Sequence, residues 1–489
     1  MNQIMAFTSS SLLLFLLCFF QSLCLYSVSS SPNKPLLLPL THALSLSLSS
    51  SSSSSFPSQS YLLKFSSLRS AERFHSSRRR RRQLPLPLAS GADYTLSLSI
   101  SSTTVSLYLD TGSDLLWFPC SPFQCILCEN KPLYSLPLPP PPSSHPVPCS
   151  SLLCSAAHSS LPISDLCAAA LCPLDAIETS SCSPSSHPCP LLYYAYGDGS
   201  LLASLRRGHL SLISSLSLSN FTFACAHSAL AEPLGVAGFG RGPLSLPSQL
   251  AKLSPFLASR FSYCLIYHSF LPNRLLRPSP LILGRSSTIS FTYTPLLHIH
   301  KNPFFYSVSL LSISVGRVTI PASSQLISRG MVVDSGTTFT MLPGEMHRQL
   351  AAEFQLQMGR REFIRATGAE ERTGLGPCYE YGNGRNESQR VPAMGLHFAG
   401  NASLWLPTRN YFLGFESEGE RVGCFMVISG GDEAKGEEDE GGDDSGGGPA
   451  ATLGNFQQQG IEVVYDLEMG RIGFARRRCG ELWDSVSRG

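Results

Sequence analysis

Apolar and polar residues alternate in short runs along much of this chain. Tyr94-Thr95-Leu96-Ser97-Leu98-Ser99-Ile100 carries an apolar side chain at every second position, and Val105-Ser106-Leu107-Tyr108-Leu109 resumes the pattern after a polar break. A period of two turns one strand face toward a core, so these runs predict a strand pair that delivers the chain to Asp110. Residues 305–310 and 315–320 repeat the pattern ahead of Asp334, and 452–456 and 461–466 read as closing strands. One stretch, 343–358, has helical spacing instead: Met346, Leu350, Phe354 and Leu356 are apolar, whereas Glu345, Arg348 and Gln349 are polar. Short strands bounded by turn residues dominate, which predicts a mainly β body.

The first ninety or so residues follow a different composition. Residues 12–20 are an unbroken apolar run of nine, followed by Ser22-Leu23-Cys24, small residues at a spacing a signal peptidase accepts. The run is too short to span a bilayer, which favours a secretory signal over 1–24. No Lys or Arg precedes it, so a membrane anchor is the minor alternative. Residues 25–91 shift to Ser, Leu and Pro, with a polyserine run at 49–55 and an arginine block at 78–82. Such a segment cannot bury a core of its own and is expected to be disordered or removable. Behind a secretory leader, the arginine block loses the compartment that a nuclear or nucleic-acid role would need.

Composition narrows the classes further. At 489 residues the chain exceeds one ordinary core and suits two lobes plus a leader. Only 14% of residues are charged and the net charge is +2, which gives no electrostatic case for nucleic acid or an anionic membrane surface. Sixteen cysteines argue for an oxidising compartment. Nine of them (Cys120, Cys125, Cys128, Cys149, Cys154, Cys167, Cys172, Cys182 and Cys189) fall in a Pro- and Ser-rich insert at 120–189. Five more follow, at Cys225, Cys264, Cys378, Cys424 and Cys479. Both numbers are odd, so if all fourteen pair, at least one bridge must join insert and body. Cys125 and Cys128 have zinc-finger spacing, but irregular gaps in a secreted chain favour disulfides, and no metal is expected. Sequons at Asn220, Asn386 and Asn401 are plausible glycan acceptors on that route. The Gly-rich acidic run at 430–448 lacks an EF-hand register and reads as a solvated loop.

The strongest signal is a duplication. Leu107-Tyr108-Leu109-Asp110-Thr111-Gly112-Ser113 matches Met331-Val332-Val333-Asp334-Ser335-Gly336-Thr337, and a proline stands nine residues after each aspartate, at Pro119 and Pro343. An apolar residue followed by glycine echoes downstream of each copy, at Ala237-Gly238 and Leu453-Gly454, 128 residues after Asp110 (238 − 110) and 120 after Asp334 (454 − 334). A lone D-[ST]-G is common and reads most simply as a turn-capping Asp. Two copies with matching flanks amount to a duplicated domain. In each, glycine folds the backbone under the carboxylate, and the hydroxyls can fix its orientation.

These residues resemble the pepsin-like aspartic proteases (peptidase A1), and among them the plant nepenthesin-like branch, over roughly residues 92–479. The resemblance implies an all-β, bilobal fold with the cleft between two related barrel-like lobes, 92–285 and 286–480. It implies Asp110 and Asp334 as a catalytic pair, with Thr111, Gly112, Ser113, Ser335, Gly336 and Thr337 in support. Tyr193-Tyr194-Ala195-Tyr196-Gly197-Asp198-Gly199-Ser200 is similar to the family's flap hairpin, with Tyr196 and Gly197 over the substrate and Trp117 bonded to the tyrosine. Also implied are a propeptide whose basic side chains cover the cleft, no cofactor, peptide or protein substrates and a monomer. The expected location is extracellular, in the apoplast or cell wall, with the vacuole as the alternative.

Two carboxylates sharing one proton supply both the base that activates water and the acid that protonates the scissile group, for which this family is the type case. At about 3 Å and an effective dielectric near 20, two such charges repel by roughly 5 kcal/mol, so only one ionises in the working range. Two rivals stand against this. One is an inactive binding or inhibitor protein on the same scaffold, which would ordinarily have lost an Asp, the flap tyrosine or a supporting hydroxyl. The other is a haloacid-dehalogenase-type phosphatase using Asp334, which needs alternating strands and helices that the pattern lacks.

Overall fold

The computed structural model describes residues 35–45, 58–78 and 93–488, apart from 102, 127–138, 160–164, 167–186, 196–199, 214–215, 231–233, 269, 271–276, 287–289, 300–302, 383–389 and 432–448. The flap tip with Tyr196 and Gly197, the sequon at Asn386, the acidic run from 432, most of the cysteine-rich insert and the segment expected as a signal lie outside these residues.

The alternating runs become strands as the pattern predicts. Tyr94–Ile100 (β2) pairs antiparallel with Thr103–Asp110 (β3), and Leu96, Leu98, Ile100, Leu107 and Leu109 are all buried. Ser97 and Ser106 stand opposite each other on the outer face with their hydroxyls 3.0 Å apart, whereas Thr95 is buried. β3 then runs parallel to Val236–Gly238, with Asp110 opposite Gly238, and Trp117–Ile126 (β4) closes on the other side through Trp117 and Val236. The second copy repeats this topology. Met331–Val333 runs parallel to Ala451–Leu453, and Met341–Leu342 lies antiparallel to that strand. The duplicated sequence is a duplicated strand arrangement.

Among the described residues, one 14-stranded sheet runs through the first lobe and collects the closing strands Ile461–Asp466 and Arg471–Arg476, and the other strands form sheets of five, four and three. The architecture is mainly β with a pepsin-like bilobal plan.

The leader corrects the sequence expectation of disorder. Leu36–His42 (β1) is inserted in the large sheet between β2 and Ser279–Leu283, with Leu38 and Leu40 buried. Gln59–Arg78 is a helix that buries Leu62, Leu63, Ser66, Ser67, Arg69 and Ser70. The composition argument failed because it asked whether the segment could bury a core of its own. It has none, and shares the body's instead.

The helix expected at 343–358 is Gly344–Gly359, with Pro343 as its cap residue. Leu356 is 49% exposed and the inward position is Met358. Met346, Leu350, Phe354 and Met358 are four apart on one face, whereas Leu356 is two residues past Phe354 and turns outward. Disulfides join Cys120–Cys225, Cys154–Cys189, Cys264–Cys479 and Cys378–Cys424. Cys120–Cys225 is the bridge between insert and body that cysteine parity requires. Cys125, half of the zinc-like pair, is also disulfide-bonded.

Candidate functional site

Asp110 and Asp334 leave their strands in the same way and are held in the same way. Gly112 N–H donates to Asp110 Oδ1 at 2.9 Å and Ser113 Oγ to Oδ2 at 2.7 Å. Gly336 N–H donates to Asp334 Oδ1 at 2.7 Å and Thr337 Oγ1 to Oδ2 at 2.6 Å. Each carboxylate is thus fixed by one backbone and one hydroxyl donor from its own loop, with only 1% and 4% exposure. The loops are also tied to each other. Thr111 Oγ1 donates to Val333 O (3.1 Å) and accepts from Ser335 N–H (2.9 Å), while Ser335 Oγ donates to Leu109 O (3.0 Å) and accepts from Thr111 N–H (3.1 Å). The residues flanking the two aspartates are therefore in direct contact, and the structure brings all eight expected loop residues together.

The close packing needs glycine behind each loop. A Cβ on Gly238 would lie 2.3 Å from the backbone of Asp114, and one on Gly454 2.5 Å from that of Thr338 and Phe339. This explains the downstream glycine echo: both glycines back the corresponding turn.

Several supporting residues carry no recognisable sequence signal. Tyr465 OH, from the closing strand, donates to Val333 O at 3.2 Å and lies 2.9 Å from Tyr263 OH, which donates to Gln458 Oε1. Burial pushes both phenols well above their ordinary range, so they work as neutral donors. Asn455 Nδ2 reaches Ser335 O at 3.0 Å and Asp93 Oδ2 at 3.1 Å. Pattern reading could have raised only Asn455, as the neighbour of the echoed Gly454.

The leader helix grips the second loop. Arg69 Nη2 bonds both Asp93 Oδ1 and Thr338 Oγ1 at 2.5 Å, and Ser70 Oγ accepts from Phe339 N–H at 3.1 Å. Burial opposes charge on Asp93, but Arg69 and His42, with the Thr338 hydroxyl, outweigh it and hold the carboxyl below its usual range. The basic leader side chain thus sits beside the loop of Asp334, bonded to Asp93 and Thr338.

Trp117 is fully buried on β4, and the tyrosine it is expected to bond lies outside the described residues. Asn220 and Asn401 are exposed, each in the left-handed turn conformation that asparagine tolerates. Cys154, His158 and Cys189 cluster at metal-ligating distance, but the two sulfurs are already joined in a disulfide. Among the described residues no helix is long and apolar enough to cross a membrane.

Family profiles described as xylanase inhibitor N-terminal and xylanase inhibitor C-terminal match residues 94–285 and 305–476. A probable aspartyl protease of Arabidopsis thaliana is 52% identical over 426 residues, covering 79% of this chain and 82% of the relative. The chain belongs to the plant pepsin-like aspartic protease family. The aspartic proteinase nepenthesin-1 of Nepenthes gracilis is 29% identical over 392 residues, covering 77% and 75%. Among solved structures, basic 7S globulin from soybean matches with a TM-score of 0.57 at 17% identity, over 91% of this chain and 97% of that one. Conglutin gamma from lupine seeds matches with the same score and identity, over 92% and 97%. At that identity the globulins speak for the fold alone.

Proposed function

We propose that this family member is an active aspartic endopeptidase, secreted through the signal at 1–24. Asp110 and Asp334 hold a water between them and share one proton; the ionised carboxyl takes the water's proton while the protonated one donates to the scissile carbonyl oxygen. Tyr196 and Gly197 close over the peptide, and Trp117 supports the tyrosine. The observation that carries the reading is the matched pair of loops, in which each aspartate keeps its backbone and hydroxyl donors and each neighbour keeps its bond across the lobes. A binding protein that needed only the scaffold would have no use for two sets of carboxylate donors.

The second reading, an inactive inhibitor or binding protein, is favoured by the description of the family profiles as xylanase inhibitor domains. The two are separated by assaying the secreted protein on a peptide library across acidic pH. Cleavage blocked by a statine-type transition-state mimic, and nearly abolished in Asp110→Asn and in Asp334→Asn with folding intact, is the expected result. A folded protein that cleaves no peptide at any pH supports the binding reading, and activity surviving either substitution removes the shared pair.

A further inference from the structure

The two aspartate turns are backed differently. In the first, main-chain donors hold the turn: Phe239 N–H donates to Asp110 O at 2.7 Å and Gly240 N–H to Ser113 O at 2.8 Å. In the second, the matching N–H groups reach further along, Asn455 N–H to Thr337 O at 2.7 Å and Phe456 N–H to Thr338 O at 2.9 Å. Asp334 O is met by a side chain. Gln458 Nε2 donates to it at 3.3 Å and to Leu453 O at 2.8 Å, and Leu453 O is also the acceptor of the Asp334 N–H at 3.1 Å. One amide therefore touches the main chain on both sides of Asp334. Counted from the backing glycines (458 − 454 = 4 and 242 − 238 = 4), the first lobe has Gly242 where the second has Gln458. The amide belongs to one turn and is not a demand of the fold.

The orientation of that amide is itself fixed. Gln458 Oε1 accepts from the hydroxyl of Tyr263, on the strand Arg260–Cys264 of the first lobe. The Tyr465 hydroxyl faces Tyr263 at 2.9 Å and reaches Val333 O at 3.2 Å. In the sheet Phe261 pairs with Tyr465 and Tyr263 with Val463, so the two tyrosines are diagonal neighbours on one face, within reach of each other. A path of contacts thus leaves Asp334 O, passes through Gln458, Tyr263 and Tyr465, and returns to the carbonyl of the preceding residue. Gln458 is 1% exposed and both tyrosines are fully buried. An amide bonded at both ends in such surroundings is a stiff spacer, because turning it leaves buried groups unpaired. Burial holds both phenols neutral, so no member of the path changes charge in acid.

We propose that Gln458 is a positioning residue for peptide hydrolysis: its amide sets the main chain of Asp334, and Tyr263 sets the amide, so the second aspartate takes its place from a strand of the opposite lobe. The proposal rests on the endopeptidase reading. It adds a second tie between the lobes to the hydroxyl exchange of Thr111 and Ser335, and this tie acts on Asp334 itself. A buried glutamine that only satisfied its own bonds would not need to span both sides of an active-site residue.

The experiment compares the secreted wild type with Gln458→Met, which keeps the length of the side chain and removes the amide, with Tyr263→Phe, which removes the hydroxyl that orients it, and with the double variant. Measured are kcat and KM on a non-ionising peptide across acidic pH, and the denaturation midpoint. We expect Gln458→Met to lower kcat by about tenfold or more with KM changed by less than about twofold. Tyr263→Phe should lower kcat less, because the amide still reaches Asp334 O, and the double variant should be no slower than Gln458→Met, because the hydroxyl acts through the amide. The limbs of the pH profile should also move relative to each other in Gln458→Met. Their spacing follows the repulsion between the two carboxyls, whereas a smaller folded fraction only scales the curve. A folded Gln458→Met with wild-type kcat overturns the proposal, as do fully additive losses or a profile that is only scaled. If Gln458→Met is not secreted, Tyr263→Phe decides: a fall in kcat at constant KM supports the proposal, and a lower denaturation midpoint at unchanged kcat overturns it. A wild type that cleaves nothing removes the endopeptidase reading and the proposal with it, whereas failure of the proposal by itself shows only in variants of an active wild type.

Discussion

Thr111 and Ser335 each use one hydroxyl twice, accepting from the other's backbone N–H and donating to the carbonyl just ahead of the other's aspartate, with all four contacts between 2.9 and 3.1 Å. The pairing sets the distance between the two carboxyls from behind, because each strand end is bonded to the opposite loop. Both residues are fully buried, so no water substitutes for a lost partner.

Thr111→Val keeps the shape and removes the hydroxyl, leaving Val333 O and Ser335 N–H without that partner. Val333 O keeps the Tyr465 hydroxyl at 3.2 Å, whereas the orphaned Ser335 N–H costs about 1–3 kcal/mol. The expected outcome is a lower denaturation midpoint and a fall in kcat larger than any change in KM, since the carboxyls move relative to each other while the substrate groove stays. Ser335→Ala should behave likewise. In a double-mutant cycle the two should couple by about 0.5–3 kcal/mol. Full additivity would mean that the lobes are set by other contacts.

Glycines 238 and 454 offer a sharper test of the duplication. Gly238→Ala and Gly454→Ala both press a methyl group into the backbone of the loop in front, which cannot yield as a flexible side chain would. Loss of secretion or of folding is expected in both. Gly359→Ala is the control: at the exposed end of the helix Gly344–Gly359 a Cβ there meets nothing within 4 Å, and the change should stabilise by about 0.5–1 kcal/mol. A well-folded Gly454→Ala protein would contradict the packing.

What could be read in advance follows from which residues obey a period. The strand runs, both aspartate loops and their backing glycines were legible because alternation and repetition are local signals. Leu356 was misplaced because an apolar residue two positions beyond Phe354 adds to the apolar content of a window without sharing its face. The leader was misread for a different reason: β1 is stabilised by partners about fifty and more than two hundred residues away, at Leu96 and Leu283, and no window of sequence contains them. Tyr465 and Gln458 were invisible likewise, since both matter through hydrogen bonds to residues far away in the chain.

Among the described residues, Arg69 is the leader's buried cation at the second loop, and its partner Asp93 belongs to the body. Arg69→Met would keep the packing of the stem but leave Asp93 buried without its cation, a change that costs about 3–5 kcal/mol. In the full chain the expected outcome is faster proteolysis within residues 36–78. Arg69→Met combined with Asp93→Asn should recover much of the loss, because the uncompensated charge is then gone. A single mutant as resistant as the wild type would show that the helix is held by its apolar contacts alone.

The same junction should loosen in acid, and the reason lies in how two imidazoles are used. His42 Nδ1, at the end of β1, accepts from Leu44 N–H at 3.2 Å, and His268 Nδ1 accepts from Phe270 N–H at 3.3 Å; the rings meet edge-on at 4.2 Å. Protonation would turn each accepting nitrogen into a donor facing another donor, and would place two cations in contact beside Arg69. Burial pushes His42 down to about 4, with Asp93 opposing and Arg69 reinforcing, and pushes His268 well below its ordinary value. A folded value below the unfolded one means stability that is complete above about 6.5 and is lost as pH falls toward 4, on the order of 3 kcal/mol for His42. Asp93, held below its usual range, gives way only at lower pH. Hydrogen-exchange protection of the β1 amides in the full chain should therefore drop between pH 6.5 and pH 4.5. His42→Phe, which keeps an aromatic ring against Tyr94 and cannot titrate, should flatten most of that drop. Equal protection at the two pH values in the wild type, or an unchanged drop in His42→Phe, would show that the histidines do not govern the joint.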